Sequence, residues 1–290
     1  MTGITRRELL AAAIGGAVAS GAPAKPKGVR FGVRTPLPNI SLRERALLAA
    51  KIGFDGIELG REWLDQSTEA LQKQIEGTGV AVSAIVGSIG LLNTEAQKRQ
   101  EAVELDRRRL EMAKQLGADC VIEVPVFGPN KFSDVSPSMT AKDLEQKLLI
   151  EGLKQLTADV KRTGVTLLLE PCNRKETHFL NTQGYGAELI HQVDAPGFKL
   201  LSDFYHMQIE EKDIGETLAS VGNLTGYVHL ADGEKRTYPG SLPFDYRPGF
   251  HSLKKWGYSG WITMEFKATN DPADELGRAL GYIKEQWAAA

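Results

Sequence analysis

The chain has 290 residues, 42% hydrophobic and 25% charged, with a formal charge of -2 at pH 7. A chain of that length can bury one large mixed core unaided, and its near-neutral balance lacks the basic footprint on which general nucleic-acid binding depends. Two cysteines, Cys120 in a strand-like run and Cys172, are too few for a disulfide framework, so Cys120 reads as a small buried apolar residue.

The first 24 residues form a separate unit. Thr5-Arg6-Arg7-Glu8-Leu9-Leu10 precedes an apolar, alanine-rich stretch over residues 11–19, and Ala22-Pro23-Ala24 offers small residues for cleavage. This resembles a twin-arginine export signal, with a mature chain beginning near Lys25 and working in the periplasm or otherwise outside the cytoplasm. The duller alternative is an N-terminal extension that happens to contain Arg-Arg. In both cases the apolar stretch is too short to span a bilayer, and no stable membrane anchor is expected.

Residues 25–290 alternate strand and helix patterns with no long structureless insertion. Strand-like runs fall at residues 29–33, 56–59, 81–86, 120–124, 165–170, 198–203, 226–230 and 261–266. Each is short, apolar or β-branched and bounded by Gly, Pro or polar residues, as in strands buried on both faces. Amphipathic stretches lie between them, clearest at 94–116 and 141–162. In the second, Leu144, Leu148, Leu149, Leu153 and Leu156 recur at helical spacing with Lys, Glu and Gln opposite. Gly117, Gly164 and Gly257 fall between helix and strand, where left-handed C-caps are expected. Strict alternation predicts parallel pairing through right-handed crossovers, and eight repeats predict closure into an α/β fold, a single-domain (β/α)₈ TIM barrel.

The last four runs carry the chemistry. Glu170 closes the fifth, Asp203 the sixth, His229 follows Tyr227-Val228 in the seventh, and Glu265 follows Met264 in the eighth. A barrel of this kind delivers the C-terminal residues of successive strands to one rim, so these four are predicted to hold one divalent metal ion. Two Glu, one Asp and one His make a hard, oxygen-rich set; Mn²⁺ is the first choice, Co²⁺ and Mg²⁺ also suit it, and Zn²⁺ is tolerated. Asp232 reads either as a carboxylate orienting His229 or as a cap on the following loop. His178, His191 and His251 have no such placement and are not expected to be ligands.

The segments Glu170-Pro171-Cys172-Asn173-Arg174-Lys175-Glu176-Thr177-His178-Phe179-Leu180-Asn181-Thr182, Asp203-Phe204-Tyr205-His206-Met207 and His229-Leu230-Ala231-Asp232 resemble the xylose isomerase-like barrel superfamily, closest to its ketose 3-epimerases and hydroxypyruvate isomerases. The strand phrase Gly53-Phe54-Asp55-Gly56-Ile57-Glu58-Leu59 and the segment from Tyr238-Pro239-Gly240 to Asp245-Tyr246 belong to the same likeness. It implies a small carbohydrate substrate and proton transfer through an enediolate, with Glu170 and Glu265 as the two catalytic bases facing opposite sides of the substrate. It also implies that Glu176, His206 and Arg236 grip substrate oxygens. Without it, His206 reads as a satisfied histidine at a helix start and Arg236, beside Lys235, as a solvated arginine.

A metal-dependent lyase on the same scaffold, a dehydratase or a 3-keto-glycoside β-eliminase, is the alternative outcome of the same proton abstraction. A non-catalytic sugar-binding protein is the distant one. The related DNA-repair nucleases bind extra metals through additional histidines, which five histidines and no basic surplus do not supply. Homo-oligomerisation is left open, with no interface signature in the sequence.

Overall fold

The computed structural model describes residues 28–290 apart from 36, 38, 39 and 270, so the signal-like residues 1–24 lie outside the described residues. Eight parallel strands close in sequence order into a barrel: β1 (Arg30–Val33), β2 (Gly56–Leu59), β3 (Ala81–Val86), β4 (Cys120–Glu123), β5 (Thr166–Leu169), β6 (Phe198–Asp203), β7 (Thr225–Leu230) and β8 (Trp261–Met264). Closure is made by β1, which pairs with β8 in the register Arg30 to Trp261 and Val33 to Met264 as well as with β2. Around the ring run α1 (Leu42–Ile52), α2 (Thr68–Ile75), α3 (Ala96–Leu116), α4 (Ala141–Thr163), α5 (Gln183–Val193), α6 (Phe204–Glu210), α7 (Ile214–Val221), α8 (Arg247–Lys255) and α9 (Pro272–Ala289). Among the described residues no helix is long and apolar enough to cross a membrane.

Local chemistry sets the boundaries. Ser41 with Glu44 and Thr140 with Asp143 form capping boxes that start α1 and α4. Gly117 and Gly164 end α3 and α4 at φ 70° and 72°, in the left-handed region where a Cβ would be strained, and Gly257 lies at φ 68° two residues past the end of α8. On α4 the buried stripe is Leu149, Leu153, Leu156 and Val160; Leu144 and Leu148 are half-buried. Glu145, expected on the polar face, turns inward instead, because His178 Nε2 lies 2.6 Å from its carboxylate. With the Gly128 carbonyl 2.8 Å from Nδ1, both ring nitrogens of His178 are occupied.

The barrel interior holds Ala84, Cys120, Ile122, Leu168, Leu201, Tyr227 and Trp261. A Cβ on Gly56 would stand 2.4 Å from the Trp261 ring, so the indole requires a glycine there. The Tyr227 hydroxyl, which burial would otherwise penalise, lies 2.7 Å from Ser83 Oγ and 2.8 Å from Thr263 Oγ1. Strands 5 and 8 end one and two residues earlier than expected, leaving Glu170 and Glu265 just beyond them. Their amides still bond the neighbouring strands, Glu170 to the Glu123 carbonyl at 3.0 Å and Glu265 to the Leu230 carbonyl at 3.1 Å. Both side chains therefore leave the barrel from a fixed backbone.

Candidate metal centre

The four residues predicted from the strand ends meet. Glu170, Asp203, His229 and Glu265 each offer a ligand atom, all within 4.8 Å of one another, on the C-terminal rim of the barrel. Donors about 2.0–2.2 Å from a common centre stand at most about 4.4 Å apart, so a small inward adjustment gathers all four.

His229 carries the clearest sign of fit. Its Nε2 lies 2.7 Å from Glu58 Oε2 and donates to it. Its Nδ1 is buried and has no hydrogen-bond partner; Glu265 Oε2 approaches to 2.9 Å but without hydrogen-bond alignment. A buried imidazole nitrogen aimed at carboxylates and left unbonded fits a cation ligand. A second grouping, Glu170, Cys172 and His206, is equally compact, but burial pushes the Cys172 thiol well up and keeps it protonated, so the harder quartet is the better set.

Arg236 completes the charge balance. It occupies a left-handed position, φ 54°, in a turn closed by reciprocal Asp232 and Thr237 backbone bonds, which sends its side chain back over the rim. Nη2 donates to Asp203 Oδ2 at 2.7 Å and Glu265 Oε2 at 2.5 Å, Nε donates to the Glu265 carbonyl at 3.1 Å, and the guanidinium lies 4.6 Å from the Tyr205 ring centre. It is not a solvated surface arginine. Asp232 takes the other of its two readings: it accepts from Gly240 N, Leu242 N and Tyr246 Oη, capping its own loop, and does not orient His229.

The electrostatics separate the two glutamates. Burial pushes the Glu170 carboxyl up to about 8, with His229 opposing and Glu265 and Asp203 adding like charge. Burial also works against ionisation of Glu265, yet Arg236 and His229 outweigh it and hold that carboxyl well below the usual range. For His229, burial disfavours the charged ring, while Glu58 and Glu265 carry its pKa well above the usual value. A cation held by the same donors competes with that proton and favours the carboxylate of Glu170.

His206 and Glu176 also reach the site. The backbone amide of Asn173 can only donate, and it lies 3.1 Å from His206 Nδ1, which fixes that nitrogen as the acceptor. Nε2 therefore carries the hydrogen, and that nitrogen faces the centre, 3.5 Å from Asp203 Oδ2 and 3.7 Å from Glu170 Oε1. Burial lowers the His206 pKa despite Asp203, keeping the ring neutral. Glu176 Oε1 accepts from Asn173 Nδ2 at 3.2 Å. Two histidines thus turn different ring atoms to one centre, His229 its Nδ1 and His206 its Nε2–H.

Above them lies a cavity of about 220 Å³, polar on the side of Arg34, Glu58 and Glu265 and walled on the other by Val86, Ile122, Val124 and Phe127. Ile89 also lines it, held at φ 53°, a conformation that β-branched residues rarely adopt. Its neighbour Ser88 is pinned by two buried carboxylates: its amide donates to Asp106 at 2.8 Å and to Glu123 at 2.9 Å. Neither Glu58 nor the Asp106 and Glu123 pair was singled out from the sequence.

The chain matches the xylose isomerase-like TIM barrel family over residues 46–286 and belongs to it. It is 28% identical to 3-dehydro-D-guloside 4-epimerase of Escherichia coli (strain K12), over 84% of this chain and 94% of that protein. It is 26% identical to a putative hydroxypyruvate isomerase of Streptomyces coelicolor, over 84% and 92% of the two chains. The crystal structure of 3-keto-D-glucoside 4-epimerase from E. coli superposes with a TM-score of 0.78 at 26% identity, covering 89% of this chain and 99% of that one. D-psicose 3-epimerase from Clostridium cellulolyticum H10, at 19% identity and a TM-score of 0.79 over 89% and 99%, shares the fold. The likeness to epimerases and hydroxypyruvate isomerases read from the motifs is borne out.

Proposed function

We propose that this member of the xylose isomerase-like family is a divalent-metal-dependent epimerase or isomerase that moves a proton at a sugar carbon next to a carbonyl, through an enediolate. The observation that carries the reading is the convergence of Glu170 and Glu265 with Asp203 and His229 on one rim. Strands β5 and β8 stand three apart in a ring of eight, so the two glutamates reach a substrate from different sides. One removes the proton and the other returns it to the opposite face. When bound, the metal, Mn²⁺ by preference, supplies Lewis acidity to adjacent carbonyl and hydroxyl oxygens. Arg236 and the His206 Nε2 hydrogen face the charge that develops on the substrate oxygens, and Glu176 grips a further hydroxyl.

The substrate class is a single sugar unit, a free ketose or a glycoside oxidised to a ketone. The cavity, smaller than the roughly 300–1,000 Å³ typical of drug-sized ligand sites, supports one unit in preference to a chain. The named relatives are epimerases and isomerases, which is why elimination is not favoured. The test is a screen of ketoses and 3-keto-glycosides in D₂O with Mn²⁺-loaded protein. Turnover should place deuterium at the carbon next to the carbonyl, and Glu170→Gln or Glu265→Gln should lower it by at least about 10²-fold. Full activity in both variants with metal retained would remove the proton-transfer roles; an unsaturated product absorbing in the ultraviolet would move the assignment to the lyase.

A further inference from the structure

Glu58 sits in the short β2 run Gly56-Ile57-Glu58-Leu59, all four residues of which are buried. Strand alternation puts Glu58 on the same face as Gly56, which packs on the interior Trp261, so a carboxylate points into the barrel where an apolar residue would be ordinary. The pairing register with β3 slips by one between Ile57 and Glu58. Such irregularities recur where a side chain must be re-aimed beside a functional site. Both carboxylate oxygens are engaged. Oε2 accepts from His229 Nε2 at 2.7 Å, and Oε1 faces Arg34 Nε at 3.3 Å.

We propose that Glu58 is the positioning residue of the metal centre, holding His229 in the one tautomer and orientation that presents the Nδ1 lone pair to the cation, with Arg34 holding Glu58 in turn. Imidazole carries one hydrogen when neutral, so a fixed acceptor at Nε2 leaves Nδ1 bare. Nδ1 is the buried ring nitrogen without a hydrogen-bond partner, and it is the ring atom that faces Glu265 at 2.9 Å and Glu170 at 3.9 Å. A carboxylate behind a ligating histidine also makes the ring a stronger donor, and losing such a partner typically weakens metal binding about 10–100-fold. Glu58 touches no reacting atom in this scheme; it acts through His229. The inference rests on the metal reading proposed above.

The experiment uses the full-length chain, stripped with chelator and titrated with Mn²⁺ by calorimetry, alongside Glu58→Gln and Glu58→Leu. Glu58→Gln keeps the shape and an accepting oxygen but not the charge, and should bind about 10-fold more weakly; Glu58→Leu should lose about 100-fold. In the wild type loaded with diamagnetic Zn²⁺, long-range ¹H–¹⁵N correlations on labelled histidine should show the hydrogen on His229 Nε2 and the metal on Nδ1. The glutamine variant decides the matter if the leucine variant does not fold. Wild-type Mn²⁺ affinity in folded Glu58→Gln, or metal on Nε2 of His229, would overturn the role of Glu58 while leaving the metal site standing. A wild-type chain that binds neither ion would overturn both.

Discussion

Arg236→Met is the perturbation that best separates a cation's share of the rim from an arginine's. The wild-type guanidinium bridges Asp203 at 2.7 Å and Glu265 at 2.5 Å, and its side chain is only 15% exposed. Methionine keeps an apolar stem against Tyr205 and removes the charge, leaving the buried Asp203 and the half-buried Glu265 carboxylates beside Glu170 without their counter-ion. Removing one partner of a buried ion pair costs about 3–5 kcal/mol. For a chain of this size each kcal/mol moves the unfolding midpoint by about 2–4 °C, so the chelator-treated variant should melt about 6–20 °C below the wild type. Mn²⁺ at a hundred times its Kd adds about 2.7 kcal/mol to any folded protein that binds it. At the same free Mn²⁺ concentration the variant should gain more than the wild type, since the ion neutralises the carboxylates the arginine had neutralised. Scanning calorimetry of both proteins in chelator and in Mn²⁺ reads all four midpoints. Equal midpoints in chelator, or the same Mn²⁺ increment for both proteins, would refute the shared-charge account.

Three further outcomes are expected. Asp203→Ala or His229→Ala should greatly weaken Mn²⁺ binding, measured by elemental analysis after reconstitution, and undiminished metal content would remove those residues from the ligand set. Burial pushes Asp106 up to about 7 despite its bonds from Ser88, and burial with the Asp106 charge carries Glu123 well above its usual value. Carboxyls raised in the folded state stabilise it fully below their unfolded values near 4 and lose that contribution as pH climbs to about 7, at up to about 1.4 kcal/mol per pH unit per group. Asp106→Asn should flatten this slope in urea unfolding from pH 5 to 8, and an unchanged slope would place the titration elsewhere. Finally, we propose export by the twin-arginine route: residues 1–27 fused to a folded reporter should carry it to the periplasm, and Arg6→Lys with Arg7→Lys should stop it. A reporter that stays in the cytoplasm with the arginines intact would count against the signal.

The barrel and its four rim donors were legible because each donor ends a short apolar run, and closure turns that one-dimensional pattern into a ring. Glu58 was hidden by the same rule: inside Gly-Ile-Glu-Leu it looks like a polar residue in an ordinary strand, and only its contact with a residue five strands on reveals an inward carboxylate. Asp106 reads as the polar face of α3, yet it is buried against Ser88. Arg236 was placed by family likeness alone, since a left-handed backbone turn decides where its side chain goes and no local residue pattern announces it. The orientation of His206 depends on the backbone amide of Asn173, an atom every residue but proline carries and no side-chain motif can mark.

The pairing of β1 with β8 also has a temporal side. Phe266 N reaches Thr35 Oγ1 across 231 positions of sequence, and such remote contacts form only after the chain has lost the entropy of closing so long a loop. A nascent chain that stops short of β8 already carries Glu170, Asp203 and His229, but it lacks Glu265 and leaves the edges of β1 and β7 open to wrong partners. On the metal reading proposed above, tight capture of an ion would wait on completion of the ring, because the eighth strand brings the last of the four rim side chains.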